Sequence, residues 1–427
     1  MTRRKLLEKT LAISASGLAT NLISTPAIAS SGSPTPSFAA QTPSVRTLTT
    51  RNIVVVGAGV FGLWTALTLL RAGLRVTLVD AFGVGNVRAS SSDETRALRA
   101  AYGATEVYVQ MVARSMELWK AHEERIKREI FIQSGCLWLM GEEDKFFRQS
   151  IPAFKALKMP FDELTADEIV KKYSAISGDA VRRGFFEPQA GYLLARKSCE
   201  TLLSAFQAEG GEYRQSGMKG KTMRGGEMES IQLGEGAVLG AEMFVFACGA
   251  WLPEILPEAL EDIIRPTRQE VFYFGVNFED KRVSKLPVWV DTTGKDLMYG
   301  IPGSGKEIFA SGFKIASDTR GGVFEPSTGD RMPSDEGLAL VRRFLRMRFP
   351  ALSNAPLIQA RVCQYENSLD GDFIIDRHPE AKNALIVGGG SGHGFKHAPA
   401  VGELAAEILL HGKQTPKEFR LGRFVRK

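Results

Sequence analysis

"NIVVVGAGVFGLWTALTLLRAGLRVTLVDA", from Asn52 to Ala81, is the stretch from which the fold is read. Ile53 to Val56 is short, wholly apolar and β-branched, the pattern of a strand buried on both faces in a parallel sheet. Gly57, Ala58, Gly59, Val60, Phe61 and Gly62 follow as G-x-G-x-x-G. The first glycine permits the tight turn and the second lets backbone approach a pyrophosphate. The third lets the next helix pack close to the strand. Leu63 to Arg71 continues as a helix whose N-terminal N–H groups face the phosphates. Gly73 ends it, and a second strand runs from Val76 to Val79. It finishes at Asp80, a carboxylate placed to accept from a ribose hydroxyl. The bare glycine motif is a weak signal; strand, helix and acid around it make a Rossmann-type dinucleotide site. They do not distinguish FAD from NAD.

Segments far downstream decide that question. "AEMFVFACGAW" (Ala241 to Trp251) is another apolar strand, breaking at Gly249. "NALIVGGGSGHGFKHAPAVGELAAEILLHGK" (Asn383 to Lys413) reads as a strand, a glycine loop and an amphipathic helix. Gly388, Gly389, Gly390, Gly392 and Gly394, with Ser391 and His393 among them, allow backbone amides to approach a ligand. An N-terminal βαβ unit completed by a C-terminal strand, glycine loop and helix suits FAD, which lies extended across a discontinuous domain. The expected class is α/β, α+β overall: a Rossmann-type FAD-binding domain in pieces, plus a substrate domain with a mixed β-sheet.

The ends of the chain carry other signals. "TRRKLLEKT", "LAISASGLATNLI" and "TPAIAS" give paired arginines, a modest apolar run and an A-x-A site ending at Ala29. The run is too short to span a bilayer, which needs about 20 residues. Residues 1–29 are expected to be a twin-arginine-type export signal, although Leu6 and Glu8 stand where that signal more often has Phe and Lys. After its removal no stable membrane anchor is expected, and the protein is placed in the periplasm or secreted. Residues 30–50 are Ser/Thr/Pro-rich and read as a disordered linker. Of the formal net charge of +6, Arg3, Arg4, Lys5 and Lys9 against Glu8 account for +3, leaving +3 for the rest. No basic run interleaved with aromatics appears, so nucleic acid is excluded as a partner. The four cysteines match no zinc pattern, and no metal site is expected. Cys136, Cys199 and Cys248 read as core residues. Cys363, in "RVCQYENSLDGDFIIDRHP" (Arg361 to Pro379), does not, because its neighbours are polar and turn-rich.

From Asn52 to about Lys413 the chain resembles the sarcosine oxidase family of flavin-dependent amine oxidases, which includes N-methyltryptophan and pipecolate oxidases. The resemblance rests on G-A-G-V-F-G, "DETRALRAAYG" (Asp93–Gly103), "FIIDRHP" (Phe373–Pro379) and "SGHGFKHAP" (Ser391–Pro399). It implies an FAD-binding domain over 51–134, 195–264 and 357–427, with a substrate domain over 135–194 and 265–356. By itself, "SSSDETRALRAAYG" (Ser90–Gly103) reads as a helix start capped by Ser90 to Ser92, with Arg96 and Arg99 on one face. The resemblance puts Arg99 at the substrate carboxylate, with Lys396 as its second cation, and Arg96 close to the flavin ring. Lys314, in the expected strand "EIFASGFKIASD" (Glu307–Asp318), stands where such enzymes hold a lysine over the flavin to promote reaction with oxygen. Tyr299 matches a tyrosine lining the substrate cavity. Cys363 matches a cysteine that carries FAD through a thioether, with Arg361 nearby to favour the thiolate.

The activity so implied is FAD-dependent oxidation of a secondary or primary amine bearing a carboxylate, of the N-methyl or cyclic amino acid class. Hydride passes to flavin N5, the imine leaves and hydrolyses, and oxygen is reduced to hydrogen peroxide. A dehydrogenase that hands its electrons to a quinone or other carrier is the alternative. Ser92 and Asp318 stand where sarcosine-type members carry histidines, and the spacing from Tyr299 to Lys314 is about four residues longer. Those departures alter the amine pocket, so sarcosine itself does not follow.

Overall fold

The apolar run Asn52–Val56 (β1) pairs in parallel with Arg75–Asp80 (β2) on one side and with Met243–Phe246 on the other. Between β1 and β2 the chain crosses over through the helix Val60–Arg71 (α1). The sheet is completed by Glu212–Gln215 next to β2, and by Ala381–Gly388 and Ile374–His378 beyond Met243–Phe246. Six strands from three distant parts of the chain thus make one α/β layer, as the glycine pattern and the C-terminal segment require. The computed structural model describes residues 51–303 and 312–424. The expected leader and linker, and the first part of the expected Glu307–Asp318 strand, lie outside the described residues.

Two glycines of the motif are enforced by space. Gly57 has φ +103°, and a Cβ there would stand 2.3 Å from the Ala247 carbonyl oxygen. A Cβ on Gly62 would stand 1.8 Å from the Gly57 carbonyl oxygen, which is how closely α1 packs on the turn. The C-terminal helix Ala398–His411 lies against α1 just as tightly, because Gly402 brings its backbone onto Trp64. Such contact explains why α1 is apolar nearly all round.

A second, eight-stranded mixed sheet runs in the order Leu357–Ser368, Ile264–Phe274, Phe313–Ser317, Met298–Ile301, Val288–Asp291, Cys136–Met140, Arg183–Glu187 and Asp162–Thr165. The first of these, expected with the FAD-binding portion, is instead an edge strand here. It pairs with Ile264–Phe274 over its length, and that pairing outweighs its nearness in sequence to the glycine loop. The buried pair Arg348 and Asp291, at 2.6 Å, fastens the helix Asp335–Arg348 to this sheet.

Ser90–Gly103 is not a helix. Thr95–Leu98 (β3) is a strand, antiparallel to Gly191–Leu194, which in turn pairs with Phe131–Ile132. Asp93 has φ +91°, which no right-handed helix accepts, and sheet pairing satisfies the backbone groups that follow it. Arg96 and Arg99 therefore do not share a helical face.

Candidate active site

Two cavities adjoin. The first, about 310 Å³, runs along the glycine turn and is lined by Gly57, Gly59, Val60, Phe61, Asp80, Gly249, Gly390, Gly392 and Gly394. The second, about 90 Å³, is lined by Arg99, Lys396, Tyr299, Lys314, Asp318, Cys363 and His393. Arg96, Tyr365, Gly392 and Phe395 line both. Ala58, Gly62 and Ser391 line neither and serve the turn and the loop. Ala58 N–H donates to Asp80 Oδ2 at 2.8 Å, and Ser391 Oγ donates to the Gly389 carbonyl at 2.9 Å. Cys248, expected in the core, is half-buried on the first cleft.

The first cleft fits a dinucleotide flavin. Its floor is backbone held close by Gly57 and Gly62, where a side chain has no room. Gly59 begins α1 without a side-chain cap and without an acid in the first turn, so the helix end is electrostatically suited to phosphate. Ser91 Oγ accepts from Val60 N–H at 2.9 Å and holds the turn from outside. Asp80 already accepts from three backbone amides, those of Ala58, Phe82 and Gly83. Burial pushes its carboxyl up against those amides. Oδ1 accepts two of these amides and Oδ2 one, so Oδ2 keeps a lone pair for a ribose hydroxyl.

Between the cavities lies a buried ionic cluster that sequence reading missed. Asp93 Oδ2 accepts from Lys314 Nζ at 2.6 Å and from Arg96 at 2.5 Å, while Tyr273 donates its hydroxyl to Oδ1. Lys314 also donates to the Thr95 carbonyl at 2.9 Å. Burial opposes charge on Asp93, but Lys314 and Arg96 hold its carboxyl well below the usual range. Burial likewise draws Lys314 down, with Asp93 opposing. Arg96 reaches on to Cys363 Sγ at 3.8 Å. Arg361 is not the cation beside that thiol, because Glu94 takes it at 2.5 Å. The sequence signal for Asp93 is faint: an acid at the head of a motif.

In the second cavity the two expected cations meet over one ring. Arg99 Cζ and Lys396 Nζ lie 5.1 and 5.0 Å from the centroid of Tyr102, and Arg99 also lies over Trp138. Glu187, buried, accepts from Trp138 Nε1 at 2.7 Å and from Ala100 N–H at 2.6 Å, fixing the chain around Arg99. Tyr102 is fixed by two imidazoles. His393 Nε2 lies 3.2 Å from the Gly371 carbonyl and must donate to it, so its Nδ1 accepts from the Tyr102 hydroxyl at 3.0 Å. The same oxygen accepts from His397 Nε2 at 2.8 Å, which leaves His397 Nδ1 without a partner. Burial and Lys396 hold both imidazoles well below their usual range, so this network is neutral. Tyr299 is half-buried on the wall, and Asp318 is exposed at the mouth, accepting from Tyr365 at 3.3 Å.

Asp93→Asn leaves two buried cations uncompensated, and stability to urea should fall by roughly 3–5 kcal/mol. Adding Lys314→Met should recover part of that loss; simple addition of the two losses would show that they do not act as a unit. Since Asp93 is held below its ordinary range, its contribution is complete above about pH 4 and disappears as pH falls. The Asn variant should therefore show a flatter acid limb.

The family model described as FAD dependent oxidoreductase matches residues 52–408. The chain is 31% identical to monomeric sarcosine oxidase of Bacillus sp. over 370 residues, 85% of this chain and 93% of that one. It is 28% identical to N-methyl-L-tryptophan oxidase of Salmonella arizonae over 383 residues, 87% and 99%. In fold it is similar to L-proline dehydrogenase from P. horikoshii, with TM-score 0.77 over 88% of this chain and 98% of that one at 23% identity. Cleft, ionic cluster and matched length agree: the chain belongs to the FAD-dependent oxidoreductases and is an enzyme of the sarcosine oxidase and N-methyltryptophan oxidase type.

Proposed function

We propose that the protein oxidises a secondary or primary amine bearing a carboxylate, of the N-methyl or cyclic amino acid class, and passes the electrons to oxygen to give hydrogen peroxide. The observation that carries this reading is the meeting of Arg99 and Lys396 over Tyr102, in a cavity that shares a wall with the cofactor cleft. Relatives named for sarcosine and N-methyl-L-tryptophan, both N-methylated amino acids, support it. FAD, when bound, supplies the two-electron acceptor. Arg99 and Lys396 hold the carboxylate and so orient the amine carbon toward the shared wall. An amine bound neutral needs no strong base, in keeping with the neutral imidazoles. The portion built on the eight-stranded sheet is read as the substrate domain.

Burial and Arg99 hold the Lys396 ammonium well below its usual range. An arriving carboxylate counters both effects, so the clamp gains charge as it closes. The charged form exists below the Lys396 pKa and is lost as pH rises through it. One observation favours the second reading, a dehydrogenase using a quinone or carrier. Lys314 Nζ is already committed to Asp93 and the Thr95 carbonyl, which leaves less charge free to stabilise developing superoxide.

Anaerobic mixing with N-methyl and cyclic amino acids should bleach the flavin, and KM should rise on the alkaline side. Arg99→Ala or Lys396→Met should weaken substrate binding by about one to two decades with flavin content unchanged, and Lys396→Met should remove the alkaline rise. Flavin that no amine in the panel bleaches would refute the reading. Reoxidation of the reduced protein by air, compared with an artificial acceptor, decides between oxygen and a carrier.

Cys363 is read as the covalent tether of the flavin, with the Arg96 guanidinium 3.8 Å from its Sγ. After acid denaturation the yellow colour should sediment with the polypeptide, and Cys363→Ser should release it. Colour wholly in the supernatant of the parent protein would make Cys363 a bystander.

Residues 1–29 are read as a twin-arginine-type leader that exports the folded, FAD-loaded protein to the periplasm. The exported chain should begin near Ser30, and replacing Arg3 and Arg4 by lysine should retain a yellow precursor inside the cell. Export that continues despite both replacements would speak for the ordinary secretory route.

A further inference from the structure

Glu366 has no part in the clamp or the ionic cluster, yet it lies on the cofactor cleft and is only 8% exposed. Its Oε2 is buried without a hydrogen-bond partner. Its Oε1 lies against Gly390, where a Cβ would stand 2.7 Å away, and Gly249 and Gly388 bound the other oxygen. A buried polar atom left unpaired is costly, so an orphan facing a ligand cleft points to the ligand as its partner.

We propose that Glu366 is a cofactor-binding acid, which faces FAD as a neutral carboxyl, donates a hydrogen bond to an acceptor atom of it, and makes FAD retention pH-dependent. The surroundings select the neutral form. The glycine loop offers only the amides of Gly389 and Gly390, and on the paired strand the opposite residue is Pro266. The Met243–Phe246 strand leads into Cys248, a thiol that burial pushes upward. The other charged groups lining the cleft are Asp80, Glu254, Lys219 and Arg96. Arg96 is already bonded to Asp93, and among the described residues no cation pairs with Glu366.

Burial raises the Glu366 carboxyl to about 7 against the pull of the two amides. FAD presents mainly acceptors: phosphate oxygens, flavin carbonyls and ring nitrogens. A carboxylate would be repelled by them, whereas a carboxyl donates. The sign follows. Below about pH 7 the acid is protonated and FAD affinity is level; above it, binding must take up a proton, and affinity falls by up to about tenfold per pH unit.

The test uses the full FAD-loaded chain carrying Cys363→Ser, so that no tether masks release. Free and bound flavin are separated by ultrafiltration from about pH 6 to about pH 9, a range chosen to span the shift. The expected result is a level region followed by progressive loss. Glu366→Gln keeps a donor but cannot ionise, and should hold FAD independently of pH. A level profile in the Glu366 protein, or the same pH dependence in the Gln variant, would overturn the proposal. If the Gln variant does not fold, infrared difference spectra of the Glu366 protein still decide. FAD binding should shift the band of a protonated carboxyl downward, and absence of any such band would overturn the proposal.

Discussion

The Asp93 carboxylate is the interaction on which the site depends. It lies two residues before β3, between the cofactor cleft and the substrate cavity, and draws together Lys314, Arg96 and Tyr273. Two of these come from neighbouring strands of the eight-stranded sheet, Ile264–Phe274 and Phe313–Ser317. The third belongs to the small sheet that follows the cofactor turn. One carboxylate therefore joins the two larger parts of the fold where their cavities meet. The cost is a buried ion cluster and a strained backbone at φ +91°, and strain of that kind persists where the surroundings fix it.

The substrate cavity follows a different electrostatic logic. Among the described residues no carboxylate is bonded to its cations, Arg99 and Lys396; an aromatic ring and backbone carbonyls hold them in place. Arg99 donates to the Ala101 carbonyl and Lys396 to the His393 carbonyl, both at 2.9 Å. The imidazoles beneath Tyr102 are kept neutral, so they neither compete for the anion nor add to the repulsion. Glu187 and Asp318 act on these cations through space without bonding to them, which leaves their N–H donors open to an arriving carboxylate.

Much of the cofactor half is legible in the sequence, because its signals are local. An apolar run, glycines forced by contacts of 2.3 and 1.8 Å, and a closing acid lie within thirty residues. The failures have one physical cause, since their deciding partners are remote in sequence. Ser90–Gly103 has a serine cap and paired arginines that suit a helix, but Gly191–Leu194 captures it as a strand. Arg361 stands two residues from Cys363, yet Glu94 claims it and Arg96 takes its place. Asp93 heads a motif that does not name its partners, and Glu366 carries no local pattern. Their roles arise from Lys314, more than two hundred residues on, and from a glycine loop packed against an edge strand.

The central claim is that the two cavities form one continuous site, with the carboxylate clamp on one side of the shared wall and the cofactor on the other. A crystal structure of the FAD-loaded protein with an unreactive carboxylate-bearing amine analogue tests it most directly. The account predicts the carboxylate within hydrogen-bonding reach of Arg99 and Lys396, with the isoalloxazine ring beside Arg96 and Cys363. An analogue carboxylate bound away from both cations, or a ring that does not reach the shared wall, would contradict it.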